Sequence, residues 1–515
     1  MTTAQIGIIL SIVVYLVGIV CIGIYCSQKN NTVDDFYLGG RKLGPFVTAM
    51  SAEASDMSSW LLMGLPGVAY LTGIADAGWT AIGLAIGTYV NWLIVAKRIR
   101  RYTVVAGNAI TLPDFFKNRY RDNSNALLLI SALIIVIFFI PYTASGFAAC
   151  GKLFSSLFGV SYTAAMAISA FVIVGYTITG GFLAASTTDF IQSIVMSIAL
   201  IVVLIFGIHM AGGWSAVIEN AQSLSGYLSL TDIHDPVTGT SSPYGVINSC
   251  SMLAWGLGYF GMPHILLRFM AIEDGRKLSL SRRVATVWVV ISLTVGVLIG
   301  VVGLGMTKAG TLEQLEGSNS ETIIVKIADL MSQNGILAAL LAGLILAGIL
   351  ASTMSTADSQ LLAASSSVSQ NILYGTFGIK MSDKQKMLAA RGSLFVIAVI
   401  AAFLAKNPDS SVFMIVSFAW AGFGATFGPV VLFSLFWKRT NRNGALAGLI
   451  SGGVMVFVWK YLVRPLGGAW NIYELLPAFL VASIAIVVVS LATKAPDKEI
   501  VEEFERVAAM KDGDK

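Results

Sequence analysis

Charge is scarce in this sequence. Only 12% of its 515 residues are Asp, Glu, Lys or Arg, against about 25% in soluble domains. A soluble chain of this length would need several domains with charged surfaces and amphipathic elements. Instead, 56% of the residues are hydrophobic, and apolar runs of about 20 residues recur from end to end. The chain is a polytopic membrane protein. It has four cysteines, Cys21, Cys26, Cys150 and Cys250, all in or beside apolar runs and without metal-ligand spacing, which argues against a disulfide framework or a zinc site. Its three histidines, His209, His234 and His264, are too scattered to cluster on a metal.

Several motifs are also missing. No Gly-x-x-x-x-Gly-Lys-Ser/Thr loop is present to cradle nucleotide phosphates, which excludes a self-contained ATP-driven pump. There is no His-Glu-x-x-His helix, and the serines at membrane depth have no paired histidine to activate them. The chain is therefore expected not to be an enzyme. Arginine rows at voltage-sensor spacing are missing as well, which disfavours a voltage-gated channel.

What is present is a series of about thirteen apolar spans: 6–25, 45–71, 77–95, 126–149, 162–179, 190–210, 246–267, 284–306, 335–372, 388–404, 412–436, 445–462 and 472–492. The first has no basic residue before it and Lys29 beyond it, which suits a retained helix rather than a signal peptide. The loops test the assignment, because cytoplasmic loops collect Lys and Arg. All 33 basic residues except Lys152, Lys308, Lys326, Lys406, Lys460 and Arg464 fall on one predicted side, Arg268 among them. The stretch 212–245 contains neither Lys nor Arg. This pattern puts the N-terminus outside and the C-terminal tail, 494–515, in the cytoplasm. The net charge of +5 is thus topological and does not imply nucleic acid.

Three spans carry polar interruptions. Residues 51–60 read Ser-Ala-Glu-Ala-Ser-Asp-Met-Ser-Ser-Trp, placing Glu53 and Asp56 at membrane depth, where an ionised carboxylate costs at least about 2.5 to 3.5 kcal/mol. Ser55, Ser58 and Ser59 compete with the helix for backbone hydrogen bonds. An unwound turn would offer carbonyls to an ion and a half-helix N-terminus to an anionic group; a continuous helix with back-bonded hydroxyls is the alternative. Residues 255–263 combine Trp255 and Tyr259 with three glycines, Met262 and Pro263. They suit either a solute pocket with flat apolar walls or an aromatic belt with tight packing. In residues 352–359, Ser352, Ser355, Thr356 and Ser359 line one helical face beside Asp358. Such oxygens suit a small hard cation or simply glue helices together. Asp189 could cap a helix or relay an ion. The two broken spans, second and seventh, stand five spans apart, as an inverted repeat of five helices each requires.

Longer runs carry a resemblance. Phe36-Tyr37-Leu38-Gly39-Gly40-Arg41, Leu43-Gly44-Pro45-Phe46-Val47-Thr48-Ala49, Ala54-Ser55-Asp56-Met57-Ser58 and Trp60-Leu61-Leu62-Met63-Gly64-Leu65-Pro66-Gly67 resemble the sodium/solute symporter family, and within it the members that carry proline. So do Gly256-Leu257-Gly258-Tyr259-Phe260-Gly261, Pro263-His264-Ile265-Leu266, Ala419-Trp420-Ala421-Gly422-Phe423-Gly424 and Arg442-Asn443-Gly444-Ala445-Leu446-Ala447-Gly448.

The resemblance implies an all-α, LeuT-type fold in the cell membrane: an extra helix and loop (1–42), a first five-helix repeat (43–211), an extracellular loop (212–243), a second repeat (244–437), two further helices (438–493) and the tail (494–515). It implies import of L-proline or a similar small solute with Na⁺ as the co-transported ion, by alternating access and with a monomer sufficient. A channel and a nutrient sensor are the competing classes. The implied Na⁺ ligands are backbone oxygens of Ala54, Met57 and Ser352 and the hydroxyls of Ser355 and Thr356. Asp56 lies beside them, and Asp189, Asp358 and Ser359 form an ion-coupling or second Na⁺ site. The implied solute contacts are Ser58, Trp60, Tyr142, Trp255, Tyr259 and Pro263. Glu53 and Ser59 stand where the similar symporters carry glycine, and Met262 stands where they carry glutamine. These three bear on solute selectivity.

Overall fold

The computed structural model describes residues 2–28 and 33–510. Lys29 and the last five residues of the tail lie outside the described residues. Ten described helices are long and apolar enough to cross a membrane. Three further features bring these to the thirteen expected spans. Tyr162–Met210 runs for 49 residues, about twice what a bilayer needs at about 1.5 Å rise per residue, and it turns at Gly181 (φ 66°, ψ −169°). A side chain would strain that conformation, and glycine adopts it freely. This one element is therefore two spans. The seventh span is the pair Gly245–Gly261 and Pro263–Ala271, bent by 47°. The second span is Pro45–Asp56, a π-helical turn Trp60–Gly64, and Leu65–Thr72.

Outward faces are apolar, with Val14, Ile168, Phe171, Ile205 and Ile484 exposed, as lipid contact demands. The ninth span, Ile336–Ser366, is buried from Ala342 onward almost without interruption. It packs most extensively against Tyr162–Met210, and also against Thr3–Ser27. Close approach of the third and seventh spans requires glycine on both sides: a Cβ on Gly87 would overlap the Gly256 backbone, and one on Gly256 would overlap Gly83.

Two segments outside the spans carry regular structure of their own. The 212–243 loop is not irregular: it holds a helix, Trp214–Gln222, and an antiparallel pair, Asp232–His234 with Ser241–Pro243. This is the only sheet among the described residues, a small exception to an all-α fold. Tyr227 pins the loop by donating its hydroxyl to the Ala69 carbonyl at 2.7 Å. The tail forms an amphipathic helix, Lys498–Ala509, which packs on the helix Ala96–Val105 that extends the third span. Phe504 lies beneath Arg98 and Arg119 there.

Candidate functional site: an ion and solute site between broken helices

The second span unwinds where its serines cluster. Met57 leaves the helix (φ −74°, ψ 66°), and the Ser58 amide turns to the Asp56 carbonyl at 2.7 Å. A regular helix would send that amide to Ala54, whose carbonyl is thereby released. Ser355 of the ninth span donates its hydroxyl to this carbonyl at 2.8 Å and to Ser352's carbonyl at 3.2 Å. Thr356, next in sequence, keeps a buried hydroxyl with no protein partner. Thus the Ala54 and Ser352 carbonyls converge on the Ser355 hydroxyl, with Met57 at the break itself. Carbonyl and hydroxyl oxygens without a full charge suit a monovalent hard cation.

Aromatic side chains gather on the other side of the break. Trp60 and Trp255 lie 6.0 Å apart by ring centroids, and Trp255 also stacks on Trp420 at 6.4 Å. Tyr259 meets Trp420 edge-on at 5.1 Å and donates its hydroxyl to Asp56 Oδ2 at 2.6 Å. Tyr142 sits near Asp56 and Ser58, its hydroxyl buried and without a made hydrogen bond. Pro263 begins the restarted half of the seventh span, after the extended residue Met262, where its missing N–H is no loss. Ser59 is buried with an unpartnered hydroxyl.

Glu53 does not face the aromatic cluster. Its Oε1 accepts from Trp92 Nε1 at 2.8 Å, and Trp92 packs on Phe269 at 4.4 Å. The residue therefore faces the third span. Glu53 and Asp56, three apart on one helix, carry side chains about 5–6 Å apart. If both are charged they repel by about 3 kcal/mol at an effective dielectric of about 20.

Arg268 lies in the restarted half of the seventh span, Pro263–Ala271, and is 1% exposed; the expectation that it sits in a loop is corrected. Its guanidinium donates to Asp189 Oδ2 at 3.2 Å, to Ser51 Oγ at 3.0 Å, to the His264 carbonyl at 2.9 Å and to Ser359 Oγ. Ser51 in turn donates to Asp189 at 2.6 Å, and Ser359 donates to Asp358 at 3.2 Å. Asp189, Asp358 and Ser359 do meet, and a fixed positive charge stands among them. Asp189 is mid-helix and buried, not a cap. The signal for Arg268 was its setting in Leu266-Leu267-Arg268-Phe269-Met270, apolar on both sides. Nothing in the residue spacing singled out Trp92 or Ser51.

The profile of the sodium:solute symporter family matches residues 36–452. The chain belongs to this family. It is 42% identical to a sodium/proline symporter of Haemophilus influenzae over 97% of either chain, and 42% identical to the osmoregulated proline transporter OpuE of Bacillus subtilis over 96% of either chain. Among solved structures it is similar to a Na⁺-coupled sialic acid symporter in a substrate-bound outward-open state (TM-score 0.76, 17% identity, 96% of this chain and 99% of that one). It is also similar to Mhp1, a nucleobase-cation-symport-1 family transporter, in a closed conformation (TM-score 0.51, 14% identity, 92% and 98%). These two likenesses establish the fold, a LeuT-type transporter architecture. The chain is a multi-pass membrane transporter.

Proposed function

We propose that this symporter imports L-proline together with Na⁺ across the cell membrane by alternating access. The released Ala54 carbonyl, met by Ser355 across two spans, carries the ion half of this reading; the full-length proline-transporting relatives support the solute half. Na⁺ is held by the carbonyls of Ala54, Met57 and Ser352 and the hydroxyls of Ser355 and Thr356. On its arrival the Ser355 hydroxyl rotates to present a lone pair, so the ion replaces a hydrogen bond and draws the second span against the ninth.

Ser58, Trp60, Tyr142, Trp255, Tyr259 and Pro263 enclose proline's ring. The half-helix starting near Trp60 turns its N-terminus toward the carboxylate, where backbone dipoles favour negative charge. Ser59 and Met262 adjust the fit of the solute. Glu53, held by Trp92, acts on selectivity only through the backbone of the break. Of the two roles open to Asp189, Asp358 and Ser359, coupling is the better supported, because Arg268 already supplies the positive charge a second Na⁺ would bring. The loop charges support an N-terminus outside and a C-terminus in the cytoplasm, and the segment boundaries 43–211 and 244–437 are the two repeats on this reading.

The test is proline uptake into proteoliposomes. An inward Na⁺ gradient is expected to drive accumulation above the outside concentration. Uptake driven by a proton gradient and not by Na⁺ would overturn the coupling, and flux that only equilibrates would mark a channel.

A further inference from the structure

The aromatic cluster has a buried neighbour that the proposed Na⁺ and proline sites leave unused. Tyr473 stands just before the last helix, Leu475–Ala492, and so lies outside both proposed repeats. It is 2% exposed, and its ring stacks on Trp255 with 5.2 Å between centroids and 22° between planes. That contact is closer and more nearly parallel than the one between Trp255 and Trp60, at 6.0 Å and 36°. Offset stacking of this kind ties the position and tilt of one ring to those of the other.

Tyr473 is itself held from several sides. Its hydroxyl donates to the Ser417 carbonyl of the eleventh span at 2.5 Å, and its amide donates to Ser251 Oγ in the first half of the seventh span at 2.5 Å. The carbonyl of Ile472, just before it, accepts from Trp459 Nε1 at 3.1 Å. Glu474, just after it, is fully buried. Its Oε2 accepts from Arg464 Nη1 at 2.9 Å, and Lys460 Nζ lies 3.7 Å from Oε1. Lys460 and Arg464 both depart from the one-sided loop pattern of the sequence, and this shared carboxylate accounts for their place, since a buried charge persists when it is paired. The segment joining the last two spans is thus fastened on both sides of Tyr473. The Trp255 backbone is fixed as well, because its carbonyl accepts from Trp420 Nε1 at 2.7 Å. What is left to vary is the swing of the indole about its own side-chain bonds, and the Tyr473 ring limits that swing.

We infer that Tyr473 is a positioning residue for solute selection: by backing Trp255 it sets the width left for the solute ring, and so separates five-membered from six-membered cyclic amino acids. The role rests on the Na⁺/proline reading above and deepens it. Removing the phenol ring leaves a void beside the indole, which the surroundings fill only in part. The indole withdraws into it, contacts with the smaller solute ring loosen, and the larger ring gains room.

The experiment is Na⁺-driven uptake into proteoliposomes holding the full chain, with L-proline as substrate and L-pipecolate, one methylene larger in the ring, as competitor. Tyr473→Ala is expected to raise the KM for proline about fivefold with the maximal rate within about twofold, and to shift selectivity toward pipecolate about tenfold, the scale of one methylene in an apolar pocket. Tyr473→Phe keeps the ring, loses only the bond to Ser417, and is expected to match the native chain on both measures. A Tyr473→Ala chain with native KM and native selectivity overturns the role, and so does one in which the maximal rate alone falls. Tyr473→Phe altered as much as Tyr473→Ala would place the effect in the Ser417 bond and overturns it too. Tyr473→Leu fills part of the void and guards against an alanine variant that fails to accumulate. It is expected to shift selectivity in the same direction by a smaller factor, and native selectivity in it overturns the role. Absence of any Na⁺-driven proline uptake by the native chain would instead sink the symport reading, and the role of Tyr473 with it.

Discussion

Ser355 holds the second and ninth spans together with one hydroxyl, and Thr356 offers another that nothing in the protein uses. An oxygen ligand to a bound cation and an ordinary hydrogen bond differ in what their removal does. A structural hydroxyl contributes about 0.5–1.5 kcal/mol to stability, whereas a ligand acts on ion affinity and is felt only as Na⁺ falls. Ser355→Ala and Thr356→Ala are each expected to raise the Na⁺ concentration for half-maximal uptake about tenfold, equivalent to about 1.4 kcal/mol, while uptake at saturating Na⁺ stays within about twofold. Titration of initial uptake rate against Na⁺ checks this, and curves that superimpose on the native one would remove both residues from the site. The hydroxyls were legible in the sequence because their spacing of three and four puts them on one face. The orientation of Glu53 was not: its position on the second span points equally toward solute and toward the third span, and only packing against Trp92 decides between them.

At the scale of elements, the two broken spans were legible from their composition, since glycine, proline and clustered serine weaken a helix wherever it runs. The turn at Gly181 was read as a gap between two spans, and the structure closes that gap into one bent element. The position of Arg268 was misread for a physical reason. A Lys/Arg count treats every basic residue near a span end as a loop charge, and cannot see a carboxylate on another helix that makes burial tolerable. Arg268 joins the restarted half of the seventh span to the bent Tyr162–Met210 element through Asp189, and to the second span through Ser51. Breaking a buried pair from one side costs about 3–5 kcal/mol because the remaining charge is stranded. Arg268→Met is therefore expected to lower the melting temperature in detergent clearly, and the double variant Arg268→Met with Asp189→Asn to recover more than half of the loss. Equal losses in the single and double variants would show that the guanidinium acts through packing alone.

For the whole molecule, the proposed ion and solute sites share one short stretch of backbone, residues 54–60, and on that reading this shared stretch couples them. The Ala54 carbonyl, proposed for the ion, meets Ser355, the Trp60 ring, proposed for the solute, meets Trp255, and Asp56 between them accepts from Tyr259 of the seventh span. Ordering this stretch by Na⁺ removes conformational freedom that solute would otherwise have to remove, so each ligand binds better in the presence of the other. Linkage then fixes the magnitude without further assumption: the factor by which Na⁺ raises proline affinity must equal the factor by which proline raises Na⁺ affinity, typically about 5- to 150-fold. Equilibrium binding to purified protein measures both, proline titrated at zero and saturating Na⁺, and Na⁺ titrated at zero and saturating proline. A proline affinity indifferent to Na⁺ would show that residues 54–60 are already ordered without the ion, and coupling would then have to arise at the Arg268 network instead.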